Sequence, residues 1–475
     1  MNDILYRLLQ DRAALTYPIG LALALLVTAH VLLRKREMAS AAGWIGLAFF
    51  APITGAVVYF LLGVNRVQRR ARKLRLGSRA LNLPRPASKL GSGSQYLEPL
   101  QRGMAHLTRR PLLAGNAIET YQNGDEAYPA MLAAIAAAQR SIGMSSYIFR
   151  DDVWGRRFIV ALTDANARGV QVRVLIDGIG GGWLLSPAYR RLRRAGVMVE
   201  RFLHSPLPWR MPFLNLRSHR KVLVVDGSVG FTGGINIADE NVHGSHSPFL
   251  VQDTHFRFTG PVVAQLAEAF TGDWSFASGE DLQGEDWFPS LRDAGSALAR
   301  VVTSGPDEDI EKLEFAMLQA VSCARERIAI MTPYFLPDDR LVAVLSLASM
   351  RGISVDVVVP RKGNHRLIDW ALQANVRPLL SDGVRIWHCP PPFCHSKVMV
   401  VDGLWLLVGS CNWDIRSFRL NFELCVEVYD AKLSSFLEIF MRSRRGDLVT
   451  AKELDSRSLP AKLRDAGARL LLPYL

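Results

Sequence analysis

The chain has 475 residues and a formal net charge of +13. Its hydrophobic fraction of 49% and charged fraction of 21% exclude a globally disordered chain and are ample for a large core. The length favours more than one domain, and the charge favours an anionic partner: nucleic acid, an anionic membrane surface or a phosphate-bearing substrate. The cysteines are odd in number and contain no C-x-x-C pair, which disfavours a disulfide framework; they are Cys323, Cys389, Cys394, Cys411 and Cys425. Cys389, Cys394 and His395 could be read as metal ligands, but no second cluster completes a tetrahedral site.

Two long apolar stretches open the chain. The first covers residues 13–33 and the second residues 38–64, and neither contains a charged residue. Since about 20 apolar residues cross a bilayer, each stretch is long enough for a span. Basic residues follow the first stretch where a signal peptide would have a small-residue cleavage site, so a cleaved signal is disfavoured. We therefore expect a transmembrane hairpin of two helices.

Basic residues at the ends of the spans predict the orientation of the hairpin. The loop between the spans carries Arg34, Lys35 and Arg36, whereas the tail and the segment after the second span together carry eight basic residues. This difference favours a cytoplasmic tail and a cytoplasmic main body. The basic collar at residues 66–75 also suits anionic lipid head groups.

The rest of the chain contains an internal repeat. Residues 140–147 resemble residues 327–334, and each segment is followed by a helical pattern that ends at a glycine, Gly169 or Gly352, before a β-branched strand. Strands that alternate with helices predict an α/β fold with a largely parallel sheet. We expect a hairpin and collar at 1–76, a linker rich in Pro, Gly and Ser at 77–110, a first lobe at 111–295 and a second lobe at 296–475.

The most informative part of the repeat is a duplicated H-x-K-x4-D motif, followed in each copy by an asparagine on a glycine-rich turn. All landmarks are offset by the same 176 positions. Because residues i and i+2 of a strand point to the same face, the histidine and lysine of each copy project together. The matched residues are His219, Lys221, Asp226 and Asn236 in the first copy, and His395, Lys397, Asp402 and Asn412 in the second.

Two such half-sites predict one composite site for phosphoryl transfer on a pseudo-twofold axis. One histidine attacks phosphorus to give a phosphohistidine, and the other protonates the leaving alkoxide and then acts as base for the incoming alcohol. The two lysines would neutralise the phosphoryl oxygens, and the two asparagines would add neutral donors. This scheme requires no cofactor and no metal.

Four carboxylates are further candidates. Asp253 and Glu423 lie 34 and 28 residues beyond the histidines of their own copies, and each would hold the second nitrogen of an imidazole unless it is an ordinary charged residue of a strand. Asp226 and Asp402 are open to two interpretations. They take part directly in the chemistry, or they are turn residues that accept hydrogen bonds from the backbone or a lysine.

At these residues the sequence resembles the phospholipase D superfamily, and within it the bacterial cardiolipin synthase branch. The resemblance covers nearly the whole chain and includes the twin apolar stretches ending at residues 51–65, both motifs, and segments 334–337, 412–417 and 469–475. It implies two tandem phospholipase D-like α/β lobes in the bacterial inner membrane, no cofactor, and transfer of a phosphatidyl group between phosphatidylglycerol molecules with release of glycerol.

One position departs from the superfamily pattern. Gly234 stands where a serine is common, whereas the second copy has Ser410, a candidate substrate-binding residue. The two halves are therefore expected to play different roles, and analogy with the superfamily favours His219 as the nucleophile. Arg416 and Ser417 are candidates to line the phosphate pocket. The apolar, proline-rich segment 202–213 is either a lip at the bilayer interface or a packed surface loop.

Three other functions compete with phosphatidyl transfer. Phospholipid hydrolysis would use water as acceptor. A nuclease would suit the +13 charge, but nucleases of the superfamily usually carry one motif and lack a membrane hairpin. A scaffold without activity has no need of intact histidines and lysines in both copies. We therefore expect a phospholipid substrate and a membrane as partners, and no nucleic acid.

Overall fold

The computed structural model describes residues 2–34, 38–63, 90, 93–205, 216–306 and 309–470. The basic collar, part of the expected linker, the larger part of segment 202–213 and the last five residues lie outside these ranges. The chain divides into two compact units. One contains the N-terminal helices, and the other contains the body with both motifs.

The N-terminal unit consists of α1 (Asn2–Arg34), α2 (Met38–Phe50), α3 (Pro52–Val58) and a π-helical turn, Tyr59–Gly63. Within the described ranges, one helical segment, Thr16–Arg34, is long and apolar enough to cross a membrane. The second apolar stretch is not one straight helix. Pro52 interrupts it, and the chain bends so sharply that a Cβ on Gly55 would lie 2.5 Å from the carbonyl oxygen of Leu47.

Among the described residues, the body contains one 15-stranded mixed sheet, two sheets of two strands each, and flanking helices. Its strands are β1 (Leu113–Gln122), β2 (Ser141–Ser146), β3 (Gln171–Asp177), β4 (Met198–Phe202), β5 (Arg217–Ser218), β6 (Val222–Val225), β7 (Val229–Gly233), β8 (Val251–Gln252), β9 (Thr254–Thr259), β10 (Ala297–Ser304), β11 (Arg327–Met331), β12 (Phe335–Leu336), β13 (Ser354–Pro360), β14 (Arg385–Cys389), β15 (Phe393–Cys394), β16 (Val398–Val401), β17 (Trp405–Gly409), β18 (Trp413–Asp414) and β19 (Asn421–Tyr429).

The helices of the body follow the same repeat, and the predicted glycine punctuation is confirmed. Gly169 and Gly352 have φ angles of 90° and 87°, in the left-handed region that a glycine adopts without strain. The helices are α4 (Glu98–Thr108), α5 (Asn123–Ala137), α6 (Val153–Ala167), α7 (Pro187–Arg194), α8 (Val263–Ser278), α9 (Lys312–Cys323), α10 (Asp339–Met350), α11 (Arg366–Asn375), α12 (Arg377–Ser381), α13 (Ile415–Arg419), α14 (Ala431–Ser443), α15 (Ala451–Asp455) and α16 (Leu459–Arg469).

The strand order of the sheet is β14-β13-β11-β16-β17-β19-β10-β1-β9-β7-β6-β2-β3-β4, with β5 paired to β19. The order outward from β1 in the first half matches the order outward from β10 in the second. Strands β1 and β10 pair antiparallel at the centre, so one sheet runs through both halves. Each half packs its helices over its own apolar core.

The expectation of a largely parallel sheet is wrong. Pairing is parallel in β2-β3-β4 and in β11-β13-β14, where helical crossovers connect the strands. The motif strands β6 and β16 instead turn back directly into β7 and β17, and a hairpin must be antiparallel. The alternation of strands and helices extends only over the outer strands of each half.

Asp226 and Asp402 occupy the turns that close these hairpins. Each has a positive φ, 50° and 54°. The carboxylate of Asp226 accepts hydrogen bonds from the backbone N–H groups of residues 139–141, and that of Asp402 does the same for residues 325–327. At about 3.3 Å per residue, Asp226 lies roughly 16 Å along the strand from Lys221. The geometry therefore favours the turn interpretation over direct chemistry.

Candidate active site

Backbone pairing between the halves positions both motif histidines. The short strand β5, just before His219, pairs in parallel with β19 of the second half. The short strand β15, just before His395, pairs in parallel with β8 of the first half. The His219 N–H donates to the carbonyl of Phe422 at 2.9 Å, and the His395 N–H donates to the carbonyl of Gln252 at 2.7 Å. Each histidine is thus attached to the opposite half.

The crossing places each imidazole against the carboxylate of the other copy. His395 Nδ1 lies 2.6 Å from Oδ2 of Asp253. His219 Nδ1 lies 3.1 Å from the Glu423 carboxylate and 3.0 Å from the carbonyl oxygen of Ser410. The structure therefore brings Asp253 and Glu423 to the histidines. The pairing within each copy, which their positions in the sequence suggested, is wrong.

These contacts define the protonation state of both imidazole rings. An ionised carboxylate and a carbonyl oxygen only accept hydrogen bonds, so Nδ1 of His219 and of His395 carries the proton. The Nε2 atoms then hold the lone pairs. Burial lowers the pKa of His219, and it lowers that of His395 to about 3 against the opposing charge of Asp253. Both imidazoles are therefore neutral in the substrate-free site, with Nε2 available to attack or to take a proton.

The two motif lysines lie in the same buried cluster. Lys221 Nζ donates to the carbonyl of His219 at 2.7 Å, and Lys397 Nζ donates to the carbonyl of His395 at 2.5 Å. Burial lowers the pKa of Lys221 to about 7 and that of Lys397 to about 8, and the charge of Lys397 further lowers the pKa of Lys221. Each histidine also lies within the electrostatic influence of the opposite half's lysine. The cluster therefore favours an anion.

The asparagines and Ser410 differ in what they offer to a substrate. Asn236 and Asn412 are buried; Oδ1 of Asn236 accepts from the backbone N–H of Ile148 at 3.2 Å, so its amide nitrogen is left for another acceptor. The hydroxyl of Ser410 donates to the Glu423 carboxylate at 2.5 Å. The expectation that Ser410 contacts the substrate does not fit this bond, because its hydroxyl already holds the carboxylate.

Gly234 is explained by the carboxylate beside it. A Cβ at this position would lie 2.2 Å from Oδ1 and 2.4 Å from Oδ2 of Asp253, so a side chain fits only if Asp253 moves. The longer Glu423 leaves room for Ser410 in the second half. The glycine at position 234, where the superfamily commonly has serine, is therefore required by the position of the Asp253 carboxylate, whose side chain is shorter than that of Glu423.

Three residues near the histidines were missed in the sequence. The ring of Tyr147 packs edge-on against His219, with centroids 5.0 Å apart, and lies 5.4 Å from Lys221 Nζ. Asp177 accepts from the backbone N–H of Ser218 at 2.8 Å. Arg220 is buried and donates to Asp273 at 2.6 Å. Tyr147 matches Tyr334 in the repeat, a signal that could have identified it, whereas Arg220 matches a serine and gave no such signal.

Comparisons with known proteins identify the family of the chain. A family profile described as "Cardiolipin synthase, PLD-like domain" matches residues 131–274 and 317–443, and one described as "Phospholipase_D-nuclease N-terminal" matches residues 22–63. The chain is 31% identical to a cardiolipin synthase of Oceanobacillus iheyensis, over 97% of this chain and 98% of that protein. The chain belongs to the cardiolipin synthase family of the phospholipase D superfamily.

Other relatives support the same assignment. Cardiolipin synthase 2 of Staphylococcus epidermidis is 30% identical over 94% of each chain. A crystal structure of phosphatidylserine synthase from Haemophilus influenzae superposes with a TM-score of 0.61 at 16% identity, covering 79% of this chain and all of that one. At this low identity the structural likeness shows the fold alone, which is the phospholipase D-like α/β fold.

Replacing Gly234 with alanine is expected to lower turnover of a phosphodiester substrate by about a hundredfold, because a displaced Asp253 would release His395 from its position. Turnover should be measured at equal folded fraction, established by circular dichroism. Gly244→Ala is the control, since nothing lies within 4 Å of a Cβ there. Equal activities of the two variants would contradict this explanation of Gly234.

The two lysines predict the pH dependence of substrate capture. Because burial lowers their pKa values to about 7 and about 8, the ammonium charges are present at lower pH and are lost as the pH rises through these values. A phosphodiester stays anionic throughout, so kcat/KM should fall between about pH 7 and pH 9. Lys221→Arg and Lys397→Arg keep the positive charge at high pH, so each should shift the fall in kcat/KM to a higher pH. If the pH profile of kcat/KM were unchanged in both variants, the fall would be caused by groups other than these lysines.

Proposed function

We propose that the chain is a cardiolipin synthase that transfers a phosphatidyl group from one phosphatidylglycerol to another through a phosphohistidine. The crossed contacts of His219 with Glu423 and of His395 with Asp253 carry the proposal. They present two neutral imidazoles, each with a lone pair on Nε2, within one buried cluster that also contains two lysines. This is the set of groups that a two-step exchange at phosphorus needs.

In the first step, His219 Nε2 attacks the phosphorus of the donor lipid, as the resemblance to the superfamily suggests. A P–N bond forms and the P–O bond to the head-group glycerol breaks. His395, protonated on Nε2 once the anionic substrate is bound, gives that proton to the glycerol oxygen. Asp253 stabilises the imidazolium during this step, since its carboxylate contacts Nδ1.

In the second step, the hydroxyl of another phosphatidylglycerol attacks the phosphohistidine. Its proton passes to Nε2 of His395, the P–N bond breaks, and cardiolipin leaves with His219 restored. Lys221 and Lys397 neutralise the charge that the phosphoryl oxygens carry in both steps, and Asn236 and Asn412 add neutral donors. The halves would be related by a pseudo-twofold axis, with lobes at residues 111–295 and 296–475.

Burial favours transfer to a lipid alcohol over hydrolysis. The side chains of Lys221 and Lys397 are enclosed, and His219 and His395 are only 8% and 9% exposed. An intermediate in such a site is shielded from bulk water. Hydrolysis of phospholipid to phosphatidic acid is the alternative outcome, and it uses the same residues.

The products of the purified full-length chain test this proposal. In mixed micelles with phosphatidylglycerol, it should form cardiolipin and an equal amount of glycerol; phosphatidic acid in place of cardiolipin would indicate hydrolysis. His219→Ala and His395→Ala should each lower turnover by at least about a thousandfold, because each removes a group that acts in both steps. His246→Ala, an exposed histidine outside the cluster, should leave turnover unchanged.

A lipid with p-nitrophenol in place of the head-group glycerol separates the two histidines. This leaving group needs no proton, so His395→Ala should release p-nitrophenol once and accumulate a phosphatidyl group on residue 219, visible by mass spectrometry. His219→Ala should show no release. The reverse result would exchange the two roles.

The N-terminal unit would anchor the enzyme in the bacterial inner membrane as a two-pass hairpin, with the body in the cytoplasm. Support comes from the length of Thr16–Arg34, from the apolar second stretch and from the excess of basic residues on the tail and collar. In this arrangement, Glu37→Cys should react with an impermeant thiol reagent in intact spheroplasts. Leu347→Cys, exposed on the body, should react only in inverted vesicles. Labelling of Leu347→Cys in spheroplasts would contradict a cytoplasmic body.

A further inference from the structure

The loop between β3 and α7 exposes two adjacent leucines. Leu184 is 71% exposed and Leu185 is 66% exposed, directly after the partly buried Trp183. Single exposed apolar residues are common on protein surfaces, but neighbouring ones beside an active site mark a surface that contacts something apolar. Because parallel strands β2, β3 and β4 end at this edge of the sheet, the loop lies on the side where the motif histidines are attached.

The base of the loop is held by hydrogen bonds. The Arg201 guanidinium donates to the carbonyls of Gly178 and Trp183, both at 2.8 Å. The Asp177 carboxylate accepts from the N–H of Gly180 at 2.8 Å and, with its other oxygen, from the N–H of Ser218 at 2.8 Å. One carboxylate therefore connects the loop to the residue before His219. The leucines are presented from a fixed position.

A second contact connects the loop to the catalytic cluster. Gly180 packs so closely on Tyr147 that a Cβ would lie 2.4 Å from the Tyr147 carbonyl oxygen and 2.6 Å from its ring. The same ring packs against His219. A single aromatic side chain thus separates the loop from the proposed nucleophile.

A basic helix follows the leucines. Helix α7 buries Ala188 and Leu192 against the core and contains no acidic residue. Its outer face carries four exposed arginines, of which one makes an ion pair with Asp151, and the other three have no ion pair with a described residue. These residues are Arg190, Arg191, Arg193 and Arg194. An apolar tip beside a cationic face matches the layered chemistry of an anionic bilayer surface.

We propose that residues 183–194, here called the rim segment, dock the body on an anionic phospholipid surface. Leu184 and Leu185 enter the acyl region, and the arginines of α7 contact head-group phosphates. This inference deepens the proposed function, on which it rests for the identity of the lipid, because it gives the route by which phosphatidylglycerol passes from the bilayer to His219.

At the matching place in the second half, the described residues contain no pair of adjacent exposed leucines, and Leu367 is a single apolar side chain, 42% exposed. The loop after β13, at residues 361–365, contains basic and polar residues and a glycine but no large apolar side chain. Docking through the rim segment would therefore turn the first half toward the bilayer. The lipid would approach the composite site from the side of Tyr147.

Depth-dependent quenching tests the docking. A nitrobenzoxadiazole label is placed on Leu185→Cys in the full chain with Cys323→Ser, since the other four cysteines are buried. In vesicles of phosphatidylglycerol and phosphatidylcholine, the emission should shift to the blue and be quenched by nitroxide on the lipid acyl chains. The shift should shrink in phosphatidylcholine alone and in Arg190→Glu with Arg194→Glu. The control label on Leu347→Cys, a 55% exposed leucine of the second half, should not respond.

Two results would overturn the proposal. One is a label at 185 that behaves like the label at 347. The other is a label at 185 that is shielded without quenching and cross-links to a second copy of the chain, which would make the rim segment a protein interface. Neither the fluorescence of the label nor its cross-linking depends on turnover. A chain that fails to make cardiolipin can therefore still show whether its rim segment contacts lipid.

Turnover provides a separate measurement. Leu184→Asp with Leu185→Asp should raise KM for phosphatidylglycerol in vesicles by about tenfold, because insertion is lost. The value of kcat should stay within about twofold, because these leucines do not contact the reacting groups. Leu347→Asp is the matched control. A loss confined to kcat would indicate damage to the site and count against docking.

Discussion

The hydrogen bond between each motif histidine and the carboxylate of the opposite half is the interaction on which the rest of the body depends. Asp253 and Glu423 are fully buried, and a buried carboxylate is stable only when it is paired or hydrogen-bonded. Each carboxylate also accepts hydrogen bonds within its own half, but its imidazole partner belongs to the other copy. The duplication therefore makes one site from two halves, and the pairing of β1 with β10 keeps the halves together.

The same cluster explains why the site suits a phosphate ester. Two lysines buried next to each other lose hydration and repel one another, which is why their pKa values fall to about 7 and about 8. The carboxylates offset part of this positive charge, but both are engaged by the imidazoles. A phosphodiester anion would supply the missing negative charge and raise the pKa of each lysine. Substrate binding and protonation of the cluster would then reinforce each other.

The sequence predicted the residues of the site better than their connections. The constant offset of 176 positions identified both histidines and both lysines, and the two carboxylates were candidates because they lie 34 and 28 residues beyond those histidines. It did not identify the crossing, because β5, β8 and β15 are strands of two residues without periodicity. The predicted parallel pairing extended over too much of the sheet, although Asp226-Gly227 and Asp402-Gly403, each after an apolar run, are hairpin signals in the sequence. In the N-terminal unit, the hydropathy of the sequence predicted the length of the apolar stretches but not the bend at Pro52.

The two halves fix their carboxylates in different ways, and the difference follows from the length of one side chain. Asp253 is short, so its carboxylate must lie against the backbone at Gly234, where a Cβ would overlap it. Glu423 has one more methylene group and one more rotatable bond, and the hydroxyl of Ser410 removes the extra freedom by donating to it. Glycine with aspartate and serine with glutamate are therefore two solutions to one requirement, which is a carboxylate oxygen at Nδ1 of an imidazole. Because each residue compensates for its partner, an exchange between the halves preserves that contact only when both members change together.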